Sequence, residues 1–503
     1  MSLKDRKEAF VTGLSGGTTL DIYTVTSVSA VSYLVWCILK QRTQIFDHPR
    51  DFLGQLLDFL LNWNNMLLAV TVYSNNISLL LFLCVLPVLF VLFTTKSKPR
   101  HQRTIKINFK TLTPKQYLPF KSYITIYRAM MMILTCLCIL AVDFPIFPRR
   151  FAKVETWGTS LMDLGVGSFA FSMGLITARA FLRQHMLGRY SYTRNLFKAV
   201  KGSLPILAMG FFRLASVKYL NYQEHVTEYG KYWNFFFTLG CLPFLTNFFA
   251  PLIFMLSPLA LSLIIGLTYE YALVKGGLME YIISAPRTDF LSDNREGIFS
   301  LFGYFGICLN GLALGSIVLT VVPAPSNLLK MTNSREDLLA ARKNKSSSIF
   351  TLTPLQGLFF MSVLFHAIYY LGENYYYYGV SRRMTNFLYV IWVSAYNSSF
   401  LFGYKLIENF IWGEVKVEYT TNETANNDIR VIEQSEAVPI SLTAVNSNSL
   451  VLFLFANILT GVVNMNYNTL DSSEWSGIFV LMGYTLVLST LTMILYHLGI
   501  VLR

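Results

Sequence analysis

Residues 123–142 read YITIYRAMMMILTCLCILAV, residues 143–157 read DFPIFPRRFAKVETW, and residues 158–181 read GTSLMDLGVGSFAFSMGLITARAF. The first run is apolar for twenty residues apart from Arg128. A helix of that length rises about 30 Å, enough to cross the hydrocarbon layer of a bilayer. Asp143, Pro145 and Pro148 then stop it, because proline has no N–H to donate and its ring blocks the preceding turn. A second apolar run follows after fifteen residues. Two membrane segments joined by a short loop of charge, proline and aromatic rings set the reading of the whole chain.

The pattern repeats outward in both directions. Apolar runs lie near 21–39, 54–73, 77–95, 123–142, 158–181, 204–220, 232–249, 251–274, 297–322, 352–371, 386–409, 448–469 and 476–500. They predict an all-α, polytopic membrane helix bundle of about thirteen transmembrane helices. The sixth is interrupted by Arg213 and Lys218. Composition agrees: of 503 residues, 53% are hydrophobic and 14% charged, where soluble proteins carry about 25% charged residues. Mean hydropathy is +0.46. So few ionic groups do not coat a soluble fold, and disordered and fibrous classes are excluded. The net charge of +13 accompanies 40 phenylalanines, so it speaks for loops beside lipid headgroups and against a nucleic-acid partner. The six cysteines show neither metal spacing nor a disulfide framework. No cleavable signal peptide is visible, and the first membrane segment is expected to direct insertion.

Loops after odd-numbered segments, with the C-terminus, hold 24 Lys and Arg, against 12 on the other side. This bias predicts a lumenal N-terminus and a cytosolic C-terminus. Loop 96–122 dominates it, with eight basic and no acidic residues. The chain reads as one membrane domain over 1–503, with 96–122, 323–351 and 413–447 as polar cytosolic loops. The sequon at Asn76 falls on the lumenal side, close to the bilayer. Those at Asn344 and Asn422 fall on the cytosolic side and are expected to stay unmodified. No inverted repeat stands out.

Ionisable residues at a membrane boundary are costly and mark function. On the predicted lumenal side they gather in short loops. The first cluster holds Asp143, Arg149, Arg150, Lys153, Glu155 and Asp163. A carboxylate in a low dielectric acts as a general base, and a neighbouring lysine stabilises an oxyanion. A structural Asp–Lys or Asp–Arg pair closing the loop, with Arg149 and Arg150 at headgroups, fits the same spacing. The second cluster contains Glu224 and His225; here His225 is a base, a sugar hydrogen-bonder or part of a helix cap. Its EHxxE spacing is not that of a zinc site, and no metal site is expected. The third, with Asp293, Asn294 and Arg295, suits either helix capping or a polyhydroxylated headgroup. The fourth is the pair Arg382 and Arg383, suited to phosphate or to an interfacial anchor. Asn464, with Asn457 and Thr460, lines a cavity or joins helices. No P-loop or kinase set is present.

The run from Ala141 to Phe169, together with YQEHVTEYGKYWNFFFTL, NREGIFSLFGY and LTGVVNM, closely resembles the GPI-anchor inositol acyltransferases of the PIG-W type, in particular the fungal members. The N-terminal pattern KxRKExFVTGLxGG over Lys4 to Gly17 is similar too, and the likeness extends over nearly the whole chain. It implies a multi-pass enzyme of the endoplasmic reticulum membrane that is also an antifungal target. Such enzymes transfer an acyl chain, usually palmitoyl, from acyl-CoA to the inositol 2-hydroxyl of glucosaminyl-phosphatidylinositol. Palmitoyl-CoA is then a co-substrate, the glucosaminylated lipid and membrane lipids are partners, and no bound cofactor is expected. Carried onto this sequence, the family's catalytic pair is Asp143 and Lys153. Direct attack on the thioester is expected, with Asp143 as base and with CoA phosphates held by residues such as Arg149, Arg150, Arg382 or Arg383. The competing classes are a secondary transporter or lipid scramblase, and a membrane acyltransferase built on an intramembrane histidine such as His366 or His497.

Overall fold

The computed structural model describes residues 3–48, 51–98, 104–107, 113–219, 226–331, 349–413, 416–419 and 437–502. Its helices are α1 (Leu3–Val11), α2 (Thr19–Arg42), α3 (Phe52–Phe59), α4 (Asn65–Val70), α5 (Ile77–Thr94), α6 (Pro114–Tyr117) and α7 (Ser122–Ala141). There follow α8 (Leu164–Met186), α9 (Tyr192–Tyr219), α10 (Val226–Tyr229), α11 (Phe235–Phe248), α12 (Ala250–Leu256), α13 (Pro258–Val274), α14 (Leu278–Ser284) and α15 (Phe290–Asp293). The last are α16 (Arg295–Val318), α17 (Pro354–Tyr375), α18 (Phe387–Trp412), α19 (Ile440–Ser447), α20 (Ser449–Asn466) and α21 (Glu474–His497).

The protein is an all-helical membrane bundle. Among the described residues, eight helices are long and apolar enough to cross a membrane: α2, α5, α7, α8, α16, α17, α20 and α21. Two pairs, α11 with α12 and α13 with α14, are bent by 61° and 65° and bring the count to ten. The three further segments expected at 54–73, 204–220 and 386–409 are helical as well, but each is polar or broken. Leu60–Asn64 forms a π turn between α3 and α4, α9 carries Arg213, and α18 carries Ser394, Asn397 and Ser398. The termini lie on opposite sides only where an odd number of these three crosses. The break before α13 falls at Ser257, whose φ of 74° is left-handed.

Two loops expected to be plain connections meet. Strand β1 (Thr104–Ile107) pairs in parallel with β2 (Lys416–Tyr419), Thr104 opposite Lys416. The pairing brings residues 104–107 and 416–419 together, while Ile440–Ser447, expected within the second loop, forms helix α19.

The core is organised around α16, where every residue from Gly303 to Val318 is buried. It packs on α8 through glycines. A Cβ at Gly174 would lie 1.8 Å from the Cys308 carbonyl oxygen, and one at Gly311 would lie 2.0 Å from that of Phe171. Small residues let membrane helices approach this closely where no hydrophobic drive separates helix from lipid. The cost of α18's polarity is met inside the bundle: Asn310 donates to Ser394 at 2.9 Å and Tyr127 to Asn397 at 2.5 Å. A polar group in hydrocarbon needs such a partner.

One end of the bundle collects charge. The C-termini of α7 and α20 and the N-termini of α2, α8 and α18 converge there. Thr18 and Asp21 close a capping box on α2, which satisfies N–H groups that a membrane helix cannot leave open.

Candidate active site

The loop after α7 is held by its own arginine. The Arg149 guanidinium donates to the carbonyls of Val142 (2.9 Å), Phe144 (3.1 Å) and Phe147 (2.8 Å). It thereby caps the open end of α7. It also stacks 3.9 Å over the Phe10 ring of α1. Arg150 binds the Ser74 carbonyl at 2.9 Å and the Asn75 side chain at 2.8 Å. Both arginines are braces and stand apart from the cavity wall described below, where phosphate contacts were expected.

The N-terminal segment crosses this loop. Gly17 N donates to the Thr159 carbonyl at 2.9 Å, and Glu155 N donates to that of Leu14 at 3.1 Å. Gly16 has a φ of +80°, and a Cβ there would lie 2.2 Å from the Thr159 oxygen. Only glycine fits that crossing. The N-terminal glycines thus position α1 against the loop.

Between these elements and the bundle lies a cavity of about 1140 Å³. Asp143, Lys153, Glu155 and Arg382 line it, joined by Lys7, Arg213, Glu228 and Tyr229. Below them its walls are apolar. Asp143 is partly buried, and its Oδ2 accepts from Asn464 Nδ2 at 2.7 Å. Asn464 Oδ1 in turn accepts from Lys7 Nζ at 2.9 Å. An ammonium has only donors, so it fixes the amide with its NH₂ toward Asp143, which must accept. Burial pushes the Asp143 carboxyl above its usual range; the Asn464 bond and the charges of Lys7 and Arg149 pull against it.

Lys153 does not pair with Asp143. Its side chain is 43% exposed, and its Nζ meets Glu228 Oε1 at 2.7 Å. Arg382 Nη1 reaches the same oxygen at 3.2 Å, and its Nε reaches Asp163 Oδ1 at 2.7 Å. Burial pushes Glu228 up, but Lys153 and Arg382 outweigh it and hold the carboxyl at about 2. The turn carrying Arg382 is strained: Thr385 sits at φ 48°, costly for a β-branched residue. Ser381, Thr385 and Asn386 stitch it together with local hydrogen bonds.

Asp163, expected beside the substrate, is fully buried. It accepts from Ser160 at 2.7 Å and from Val154 N at 3.2 Å as well as from Arg382. It anchors the loop and is not in the cavity wall. The third cluster is likewise internal. Asp293 pairs with Lys231 at 3.7 Å, Asn294 accepts from Tyr232 N at 2.8 Å, and Arg295 donates to the carbonyls of Ile282 and Ala285. Arg383 is buried against Glu296 at 3.1 Å. These residues serve the loops and leave Arg382 as the paired arginine that reaches the cavity. Glu155 accepts from Thr227 at 3.1 Å. Glu224 and His225 lie outside the described residues.

Sequence reasoning gave Lys7 no part in the site, and it placed Glu228 and Tyr229 in the second cluster without assigning them a role; all three line the cavity. Tyr229 is the most informative, since among the described residues its buried hydroxyl has no partner. Arg213 was noticed only as a flaw in an apolar run, yet a charge inside such a run is itself a signal.

Comparison with known proteins gives a consistent picture. The GWT1 family model matches residues 3–495. The chain is 42% identical over 504 residues to GPI-anchored wall transfer protein 1 of Saccharomyces cerevisiae, covering 99% of this chain and 98% of the relative. The proteins of the same name from Aspergillus fumigatus and Candida albicans are 41% and 39% identical. Those alignments cover 99% and 98% of this chain, and 98% of each relative.

Proposed function

The chain belongs to the GWT1 family, and from that premise we propose that it is a GPI inositol acyltransferase of the endoplasmic reticulum membrane. It transfers a palmitoyl-type chain from acyl-CoA to the inositol 2-hydroxyl of glucosaminyl-phosphatidylinositol. The observation that carries this reading is one apolar cavity with a raised carboxylate and a cation in its charged rim. A lipid acceptor and a fatty thioester both need such a space.

In the proposed step the inositol oxygen attacks the thioester carbonyl as Asp143 takes the hydroxyl proton. The tetrahedral oxyanion collapses, the C–S bond breaks, and CoA leaves as thiolate, which then takes up the proton. Asn464 occupies one oxygen of Asp143 and leaves Oδ1 to accept. The Lys153 ammonium, anchored by Glu228, supplies positive charge for the oxyanion. Tyr229 offers a further donor. Pre-placed charges of this kind are the largest single source of catalytic power in many enzymes.

The two bent helix pairs favour a second reading, a transporter or scramblase. Their breaks at Phe249 and Lys275–Gly277 are not among the cavity-lining residues, which weakens it. His366, bonded to Tyr23 at 3.0 Å, is not among them either. The test uses purified protein with palmitoyl-CoA and the glucosaminylated lipid. Stoichiometric release of CoA thiol and an acylated lipid product support the acyltransferase. Lipid movement across a vesicle without thiol release supports the second reading.

A further inference from the structure

Eight charged side chains line the cavity, and six of them have partners. Lys153 and Arg382 meet Glu228. Lys7 and Asp143 share Asn464. Lys231 faces Asp293 at 3.7 Å. The other two are Glu155 and Arg213. Among the described residues the Glu155 carboxylate has no cation and accepts only from Thr227. Arg213 has neither a hydrogen bond nor an ion pair among them, although Glu228 lies near enough to sense its charge.

Both are placed to receive a ligand. Val154 is buried, while Lys153 and Glu155 on either side of it turn to the cavity. Their Cα atoms are at most about 7 Å apart, so a group held by Glu155 sits beside the proposed oxyanion at Lys153. The Leu14 carbonyl fixes Glu155 N at 3.1 Å. Thr227 takes Oε1 at 3.1 Å and leaves Oε2 open. Arg213 stands on α9, where a charge among apolar residues is costly and marks function. Phe211 and Phe212 beside it are exposed, so this wall faces lipid. A guanidinium grips a phosphate with two parallel bonds, and a carboxylate pairs strongly with an ammonium.

A carboxylate and a guanidinium left single in one cavity wall fit a ligand that carries the opposite pair. We infer that Glu155 and Arg213 form a two-point subsite for the headgroup of the acceptor lipid. Glu155 takes the ammonium of its amino sugar, and Arg213 takes its phosphodiester. The inositol lies between these two charges in the lipid, so holding both presents its hydroxyls to Asp143 and Lys153. The inference rests on the acyltransferase reading and names the residues that select the acceptor.

The test measures CoA thiol release by full-length purified protein with palmitoyl-CoA. The acceptor is either the glucosaminylated lipid or its N-acetylated form, which has no ammonium. Wild type should prefer the amine by about tenfold or more in kcat/KM. Glu155→Gln should cut that preference by about fivefold or more, through the acceptor KM. Thr227→Val should lower the preference in the same direction, and it decides the matter if Glu155→Gln fails to fold. Arg213→Met should raise KM for both acceptors about tenfold, with Arg213→Lys restoring part of it. An unchanged preference in Glu155→Gln, or in Thr227→Val where that variant alone folds, overturns the subsite. So does a raised KM for palmitoyl-CoA in Arg213→Met with the acceptor KM unchanged, which gives that arginine to the donor's phosphates. If wild type releases no thiol with either acceptor, the acyltransferase reading itself fails, and the subsite with it.

Discussion

Asp143 and Asp163 bracket the same loop, each at the end of a membrane helix, and their surroundings are opposite. Asp143 has one donor among the described residues, Asn464, and faces the cavity. Asp163 is fully buried, accepts from Ser160, Val154 and Arg382, and faces nothing but protein. A carboxylate whose acceptor sites are filled is a structural element; one with an open oxygen at a cavity rim can still take a proton. The contrast teaches that hydrogen-bond satisfaction separates candidate bases from braces in a row of charged residues, where spacing along the chain does not.

The comparison is tested most sharply by treating both residues alike. Asp143→Asn keeps the shape and the Asn464 neighbour. It should lower the rate of thiol release by about 10²–10⁴ with an unchanged melting temperature in detergent. Asp163→Ala leaves the Arg382 charge buried without its carboxylate, which costs about 3–5 kcal/mol. It should show as a much lower melting temperature, with thiol release retained by the protein that stays folded at low temperature. Activity loss without destabilisation in that variant would move Asp163 into the reacting group.

A smaller effect belongs to Lys153→Met, which removes the proposed oxyanion partner. Turnover should fall about 10²-fold, and Lys153→Arg should recover part of it. The same change bears on stability. Glu228 titrates at about 2 against an ordinary 4.5. Its contribution is therefore complete above about 4.5 and is lost as pH falls toward 2. Without Lys153 its pKa rises toward 4.5, so the loss of melting temperature between about pH 4.5 and 2 should become smaller. At the bottom of the scale is Arg6→Ala. The Arg6–Asp471 pair, 2.6 Å long, is half exposed on both sides, and such pairs add little. Neither melting temperature nor turnover should change measurably.

Much of this was legible in the sequence, for physical reasons. Twenty-residue apolar runs announce membrane helices, and the prolines after Asp143 mark where one ends. Eight spans and two bent pairs follow the apolar runs. The three doubtful segments are those where Arg213, the asparagines near 62–65 or the Ser–Asn face of α18 dilute the signal; Asn62 donates to Asp58 at 2.6 Å and Asn397 to the Val393 carbonyl at 2.7 Å inside the bundle. The resemblance named Asp143 and Lys153, and both line the same cavity. The arginines misled. A guanidinium beside an aromatic loop looks the same in sequence whether it binds a phosphate or ties down carbonyls, as Arg149 and Arg295 do. Lys7 escaped notice because its partner, Asn464, is 457 residues away. Periodicity carries no information about such a contact.

The central claim is that Asp143 is the titrating base and that Lys7, through Asn464, tunes it. The direct measurement is kcat/KM for thiol release against pH in wild type and in Lys7→Met. Burial raises the Asp143 carboxyl and the Lys7 charge opposes that rise. Wild type should therefore show an acid limb above the ordinary carboxylate value, and removing Lys7 should shift it to higher pH, with Lys7→Arg restoring it. A limb that stays in place when Lys7 is lost, or that persists in the residual activity of Asp143→Asn, would contradict the account.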